Sequence, residues 1–562
     1  MYLILNTEVK YKMKKKLISI ISVILCFSLL LTGSAIGTSA VQLQEETSFG
    51  DSAMKGLYNA LNVIVEGLVK TICAIHIDPR DWKNIEDYDA EEIGFLPGRD
   101  AYQTEAAEEA VWKLGYSKKS IVPEDIDSGK YNLGRDLLNK YAQGVYDDQC
   151  IRVTAIDDNS GEGIIVLGAI DSLGVTSTDT RTMRKAVLEY CEEKGIKVAS
   201  INISATHAHS ALDTQGVSTE FFTKLFAAFW RNLFGISSTI PGLETAEFFK
   251  QHFISVSIDA IKESIDNMEE GKLYFTPIDM SEFFKDKRDL IAKEDIPDTA
   301  SFCFVPASGK APTYISDITC HATSFSASNE LVGSDYIYYI DEYIKQTNGG
   351  NFVMIPGAVG QISRDISVDR TGMTEYEQKG ADARYLGTQL GQLIVNADYA
   401  TELDPIINVK HRELFITPEN SILTLACEIG LVNNKVFYDG VIFKKYCMAT
   451  EMGYLEFGNE IGLALFPAEL YPEVFWDDEI TGGANWDGTQ WPYDSLATAV
   501  EGVDTYAVSL TNDAIGYAVT DNNFAFMGHI IGEGIADETL SVGKHIGSYL
   551  VTEYYALIDS LK

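Results

Sequence analysis

From about Leu114 onward, the chain alternates apolar and polar residues or gathers apolar ones into short runs, with glycine-rich breaks between them. CIRVTAIDD (150–158) and GIIVLGAID (163–171) read as strands, and the turn-rich NSGEG between them predicts a hairpin. TRTMRKAVLEYCEEKGI (180–196) carries apolar residues at helical spacing and ends on a glycine, the pattern of an amphipathic helix with its stop signal. VASINISAT (198–206) is the next strand. Strand, helix and strand of these lengths predict an α/β fold in which mixed β-sheets are covered by helices. Further strands are expected at SFCFVP, NFVMIPG, LTLACEIGL, IGLALFP and TYAVSL.

The first hundred residues have a different texture. Lys14-Lys15-Lys16, then LISIISVILCFSLLLTG, then small residues through Ala40 make a basic, an apolar and a cleavage region in the order of a secretory signal peptide. Residues 1–40 are therefore expected to be an export signal, which points to a secreted or cell-envelope protein. The rival is an uncleaved anchor, disfavoured because the apolar run is short for a span. Residues 49–75 show helical periodicity, and the charged, proline-broken stretch 78–100 reads as surface connection. Residues 41–110 are thus taken as an extension and 111–562 as one large domain. FFTKLFAAFWRNLFGISSTI (221–240) is unusually aromatic: it fits a core-packing helix, or a wall over a site formed by Phe221, Phe222, Phe226, Phe229 and Trp230.

Charge and cysteines narrow the classes. A formal charge of −38 argues against nucleic acid and anionic lipid as electrostatic partners. After residue 40 the seven cysteines are scattered, with no Cys-x-x-Cys pair, so they read as buried apolar residues and not as a disulfide framework.

The chemistry concentrates on histidine, of which the chain has only eight. ISATHAHSALD (203–213) places His207 and His209 two apart at the end of a strand, leaving one face with Cα atoms ~6.6 Å apart. A hydrogen-bonded structural pair explains that pattern as well as catalysis does. DITCHATSFSASNELVGSDY (317–336) adds His321 in a run dense in Thr, Ser and Asn. Together the two stretches resemble the neutral ceramidase family. ATHAHS is similar to its Thr-His-Thr-His-Ser, and His321, Thr323, Ser324, Asn329, Leu331 and Asp335 stand where its second motif has its fixed positions.

The resemblance implies a ceramidase-like catalytic domain, running from LGYSKKSIVP (114–123) to the end and lacking the family's C-terminal immunoglobulin-like domain. It also implies zinc held by two His, one Glu and one Tyr. Carried over, these are His207, His321, Glu469 in LALFPAELYP and Tyr517 in SLTNDAIGYAVT. His209 would face the substrate carbonyl, Ser363 in GQISRD matches the family's catalytic Ser, and Arg288 in FFKDKRD matches an Arg that helps hold the oxyanion. Such N/O donors suit zinc, which brings the pKa of a bound water toward ~7.

Departures accompany the matches. Gln361 and Arg364 replace an Asp and a Pro around Ser363, Ala536 replaces a Tyr, and FWDDEITGGANWDGTQWPYD (475–494) lengthens the interval between Glu469 and Tyr517. The expected function is hydrolysis of the N-acyl bond of ceramide or a related lipid-like amide, with peripheral membrane contact as the route to such a substrate. Two alternatives stay open: a cell-envelope binding protein that has lost turnover, and a zinc hydrolase of a small polar substrate.

Overall fold

The computed structural model describes residues 93–134, 140–216, 243–325, 329–420, 445–526 and 537–561, with Val63, Tyr88, Asp89 and scattered positions between 423 and 439. The signal segment, all of the expected helix at 49–75 except Val63, and the aromatic insertion with Phe221, Phe222, Phe226, Phe229 and Trp230 lie outside the described residues.

The first half of the described chain supplies strands β1 (Trp112–Ser120), β2 (Cys150–Asp157), β3 (Ile164–Ile170), β4 (Val198–Ala205), β5 (Glu269–Ile278) and β6 (Phe284–Asp286). It continues with β7 (Thr299–Pro306), β8 (Thr313–Ile318), β9 (Asn351–Pro356), β10 (Ile362–Arg364) and β11 (Thr401–Glu402). All but β6 and β10 form one mixed sheet in the order 4-3-2-1-5-7-8-9, with β11 added on β5. Strands β12 (Ile407–Ile416), β13 (Val436–Asp439), β14 (Lys445–Phe457), β15 (Ile461–Leu465) and β17 (Asp504–Val508) build a second sheet. Two short ribbons complete the set: β6 with β10, and β16 (Glu469–Leu470) with β18 (Tyr517–Ala518). Helices α1 (Ser177–Lys194), α2 (Leu243–Asp266), α3 (Tyr336–Asn348), α4 (Glu375–Asn396), α5 (Pro472–Trp476) and α6 (Ile546–Asp559) flank the sheets.

The layers follow from side-chain alternation. Every residue of β3 is buried. Ile165 and Leu167 enter the core between the two sheets, where they join Leu455, Leu463 and Val508. Ile164 and Val166 point the other way, onto Met183 and Val187 of α1 and Phe253 and Ile261 of α2. Helices α3 and α4 cover the far end of the same sheet, and α6 covers the second sheet through Leu550, Val551 and Tyr554. The result is helix, sheet, sheet, helix, the α/β arrangement the patterning predicts. The β2–β3 hairpin is antiparallel, and α1 carries the chain across to β4, which pairs parallel with β3. Thr176 caps α1 by accepting from the Asp179 amide, and Gly195, at φ 69°, ends it.

Two expectations need correction. LTLACEIGL is not a strand where it is described: Leu423, Thr424 and Cys427 are helical, and the Thr424 amide donates to Asn420 O at 2.9 Å, four residues back. Asn420, buried and donating from Nδ2 to the Ser541 carbonyl at 2.7 Å, starts this helical turn, and a run of apolar residues alone does not distinguish the two states. The stretch 78–100 is not all surface either. Arg99 is buried on Asp158 through Nη1 and Nη2 at 2.7 and 3.0 Å, and its amide donates to Val409 O at 2.9 Å. The six described cysteines are buried, in keeping with their reading as apolar packing residues.

Candidate metal centre

His207 lies two residues beyond β4, which pairs parallel with β3, and His321 three beyond β8, which pairs parallel with β9. The two loops meet at a bridge between Ala208 and Ala322. His207 sits at φ 60°, a left-handed conformation that few side chains occupy without support. Support comes from 509–513: Ala205 donates to Leu510 O at 3.1 Å, and Asn512 donates to Ile203 O at 2.8 Å. The His209 amide donates to Ala322 O at 3.0 Å, which ties the two histidine loops together.

Glu469 and Tyr517 arrive by a different device. β16 pairs parallel with β18 in the register Glu469↔Tyr517, so residues 48 positions apart become neighbours on one rung. The Glu469 amide donates to Gly516 O at 3.0 Å. Gly516 has φ 94°, and a Cβ there would meet the Leu540 carbonyl oxygen at 1.7 Å, so only glycine serves before Tyr517.

The side chains converge. His207 Nε2 is 3.0 Å and His321 Nε2 3.5 Å from Glu469 Oε2. Tyr517 OH is 3.4 Å from His321 Nε2, and His209 Nε2 is 3.1 Å from His207 Nε2. The opposite ring nitrogens face backbone: His207 Nδ1 is 2.9 Å from Leu173 O, and His321 Nδ1 is 3.1 Å from Ile362 O. A carbonyl oxygen only accepts, so each Nδ1 carries the proton and each Nε2 presents a bare lone pair. Burial, then the nearby Lys287 ammonium, lowers the His321 pKa; burial, then His207 and His321, takes that of His209 well below its usual value. Among the described residues, none donates a hydrogen bond to the buried Glu469 Oε2. Lone pairs of two imidazoles and a carboxylate thus aim at one another, an arrangement that a cation satisfies. With the Tyr517 oxygen the set is two N and two O, the donor chemistry of zinc. His209 belongs to the same cluster: ligating atoms of His207, His209 and His321 all lie within 4.8 Å of one another.

The remaining expected residues lie around this centre. Ser363 is half-buried in β10, one residue beyond the Ile362 carbonyl that holds His321. Arg288 is buried, with Nη2 on Glu538 Oε1 at 2.9 Å and its guanidinium 4.6 Å from the Tyr471 ring centre. Its Nε and Nη1 have no hydrogen-bond partner among the described residues. Residues the sequence reading did not single out complete the surroundings. Lys287 stands over the Tyr517 ring at 5.2 Å and pairs with Asp537 at 2.9 Å. Glu473 accepts from Gln361 Nε2 at 2.8 Å and from Asn523 Nδ2 at 3.3 Å, and burial raises its pKa to about 7. Lys287 adjoins Arg288 and Glu473 follows Glu469 by one helical turn, the only local signals that marked them.

The fold is ceramidase-like. A crystal structure of neutral ceramidase from Pseudomonas aeruginosa superposes with a TM-score of 0.59 and 13% identity over 81% of this chain and 75% of that one. A ceramidase complexed with C2 gives 0.56 and 13% over the same shares. No family model and no curated protein matches the sequence. At this identity the likeness is one of architecture, and the chemistry rests on this chain's own residues.

Proposed function

We propose that this chain is a zinc-dependent hydrolase that cleaves the N-acyl bond of a lipid-like amide, with ceramide as the model substrate. The observation that carries the reading is the buried convergence of His207 Nε2, His321 Nε2, Glu469 Oε2 and Tyr517 OH with no proton donor among the first three. These four residues would hold the ion. Zinc supplies Lewis acidity that makes water a nucleophile near neutral pH.

The chain's residues do the rest. Leu173 and Ile362 fix the imidazole tautomers through their carbonyls, which keeps the two Nε2 lone pairs aimed inward. His209, half-buried and uncharged at neutral pH, offers an N–H to the oxygen that gains negative charge when the amide carbonyl is attacked. Arg288, whose Nε and Nη1 have no hydrogen-bond partner among the described residues, contributes positive charge beside Tyr471. Ser363, tethered to the strand that orients His321, is assigned to proton transfer or oxyanion donation. The basic and apolar start supports export, which would put the enzyme among extracellular or envelope lipids.

The test is metal analysis of the purified chain followed by a panel of N-acyl amides. One zinc per chain and acyl release are expected. A chain that binds zinc and cleaves none of the panel favours the binding-protein alternative; one that binds no zinc overturns the reading.

A further inference from the structure

The groups of this centre are held by pieces of structure that share no sheet. Glu469 and Tyr517 lie on the β16–β18 pair, whereas the carbonyl that holds His321 belongs to the separate β6–β10 ribbon. Ile362 O accepts from the His321 amide and faces its Nδ1, both at 3.1 Å. Ser363 follows on the same strand. The 3.5 Å between His321 Nε2 and Glu469 Oε2 therefore depends in part on how the two ribbons are held together.

Main chain makes one link. The Gly360 amide donates to Leu470 O at 2.8 Å, next to Glu469. A Cβ at Gly360 would collide with the Tyr471 ring, so the two segments meet at close approach. A side chain makes another. Glu473, four residues after Glu469, accepts from Gln361 Nε2 at 2.8 Å, and Gln361 precedes Ile362. Its other oxygen accepts at 3.3 Å from Nδ2 of Asn523, which follows Tyr517 by six residues. One carboxyl thus joins three segments, and each leads to a different group of the centre: Glu469, Tyr517 or the His321 acceptor.

Packing alone would not favour an acid there. Glu473 is 1% exposed, and among the described residues it makes no ion pair, since Arg288 gives its Nη2 to Glu538 at 2.9 Å. Burying a carboxyl without a cation disfavours its charged form, which raises its pKa to about 7, and an apolar side chain would fill the space without that penalty. What the carboxyl adds is two oxygens, one for each amide donor. We propose that Glu473 is a positioning residue for the metal centre, bridging Gln361 and Asn523 so that the His321 acceptor and the Glu469–Tyr517 pair keep one fixed separation. The inference rests on the zinc reading above and concerns affinity for the ion, not contact with it.

The experiment measures the zinc dissociation constant of the folded chain at neutral pH, by competition with a chromophoric chelator. Glu473→Met fills the space without bridging and should weaken zinc binding by roughly tenfold to a hundredfold, the usual effect of removing an outer partner of a ligand. Glu473→Gln still hydrogen-bonds both amides once the Gln361 side chain turns over, and should keep most of the affinity. Gln361→Met should reproduce most of the loss, and the double variant should lose no more than Glu473→Met alone, because the two residues act through one contact. Glu451→Ala removes an equally buried carboxyl from the second sheet and should leave the constant unchanged. Parental affinity in Glu473→Met, or equal losses in Glu473→Met and Glu473→Gln, overturns the positioning role and leaves the zinc reading intact. If Glu473→Met does not fold, parental affinity in Gln361→Met overturns it instead. A parent that binds no zinc overturns the zinc reading itself, and the role of Glu473 falls with it.

Discussion

Two buried glutamates, Glu451 and Glu469, show how alike structure and chemistry look until donors are counted. Glu451, on β14, accepts from Arg184 Nη2 at 2.5 Å and Nη1 at 2.9 Å, and from Arg181 Nη2 at 3.1 Å. Burial alone would raise its pKa, but the two guanidinium groups outweigh it and hold the carboxyl at about 2. Glu469 is equally enclosed, but its Oε2 faces two imidazole nitrogens whose protons are committed elsewhere. The first carboxylate is complete and joins α1 to the second sheet. On the proposed reading, the second is completed by a cation from outside the chain. A satisfied buried charge holds a fold together; an unsatisfied one is kept for a ligand.

Substitutions should separate the two kinds of site. The largest effect is expected from His321→Ala: most bound zinc is lost and activity falls by at least ~10³-fold, while the variant unfolds at about the denaturant midpoint of the metal-free parent. Full zinc occupancy in that variant would falsify the assignment. Glu451→Ala should do the reverse, lowering stability by about 3–5 kcal/mol because two buried arginines lose their partner, with the zinc content of the folded fraction unchanged. Chemical denaturation with metal analysis reads both. His209→Ala comes next, with kcat down by ~10²–10³-fold and zinc retained. A loss of zinc there would instead make His209 a ligand, as its place among the three clustered imidazoles allows.

The smallest effect is a pH dependence. His411 is buried, with Nε2 2.7 Å from Ser200 Oγ, and burial lowers its pKa from 6.5 to about 4. Between these values the unfolded chain takes up a proton that the folded chain refuses, so acid favours unfolding. Stability should drop by about 2–3 kcal/mol from pH 7 to 4.5 on this account, and His411→Gln should flatten the curve over that window. An equally steep curve in the variant would assign the loss to other groups.

Much of the centre was legible because its parts are local words. His207 and His209 share six residues of sequence with their strand end, and His321 sits inside a run whose spacing is preserved. Glu469 and Tyr517 were found through short flanking patterns, although nothing in those patterns announces that the two residues occupy one rung. The rest is long-range. Arg184 and Glu451 are separated by 267 positions, and no periodicity relates them. Lys287 gained meaning only from the ring of Tyr517 beneath it, and Arg99 from Asp158 and Val409. LTLACEIGL misled for the opposite reason, since an apolar run is compatible with either regular state.

The pairing of β16 with β18 has a consequence for how this chain can change. Two residues of the proposed centre are fastened to each other by main-chain hydrogen bonds, and the chain between them leaves this spot, adds β17 to the second sheet and 509–513 to the support of His207, and returns. The geometry of the donors is set by the clasp and not by the length of what it closes. The solvent-facing part of the excursion, 482–490, can therefore lengthen, shorten or be exchanged for another sequence while the clasp stays shut. For protein engineering this stretch is a natural cassette: a place to graft new recognition beside an undisturbed reactive centre.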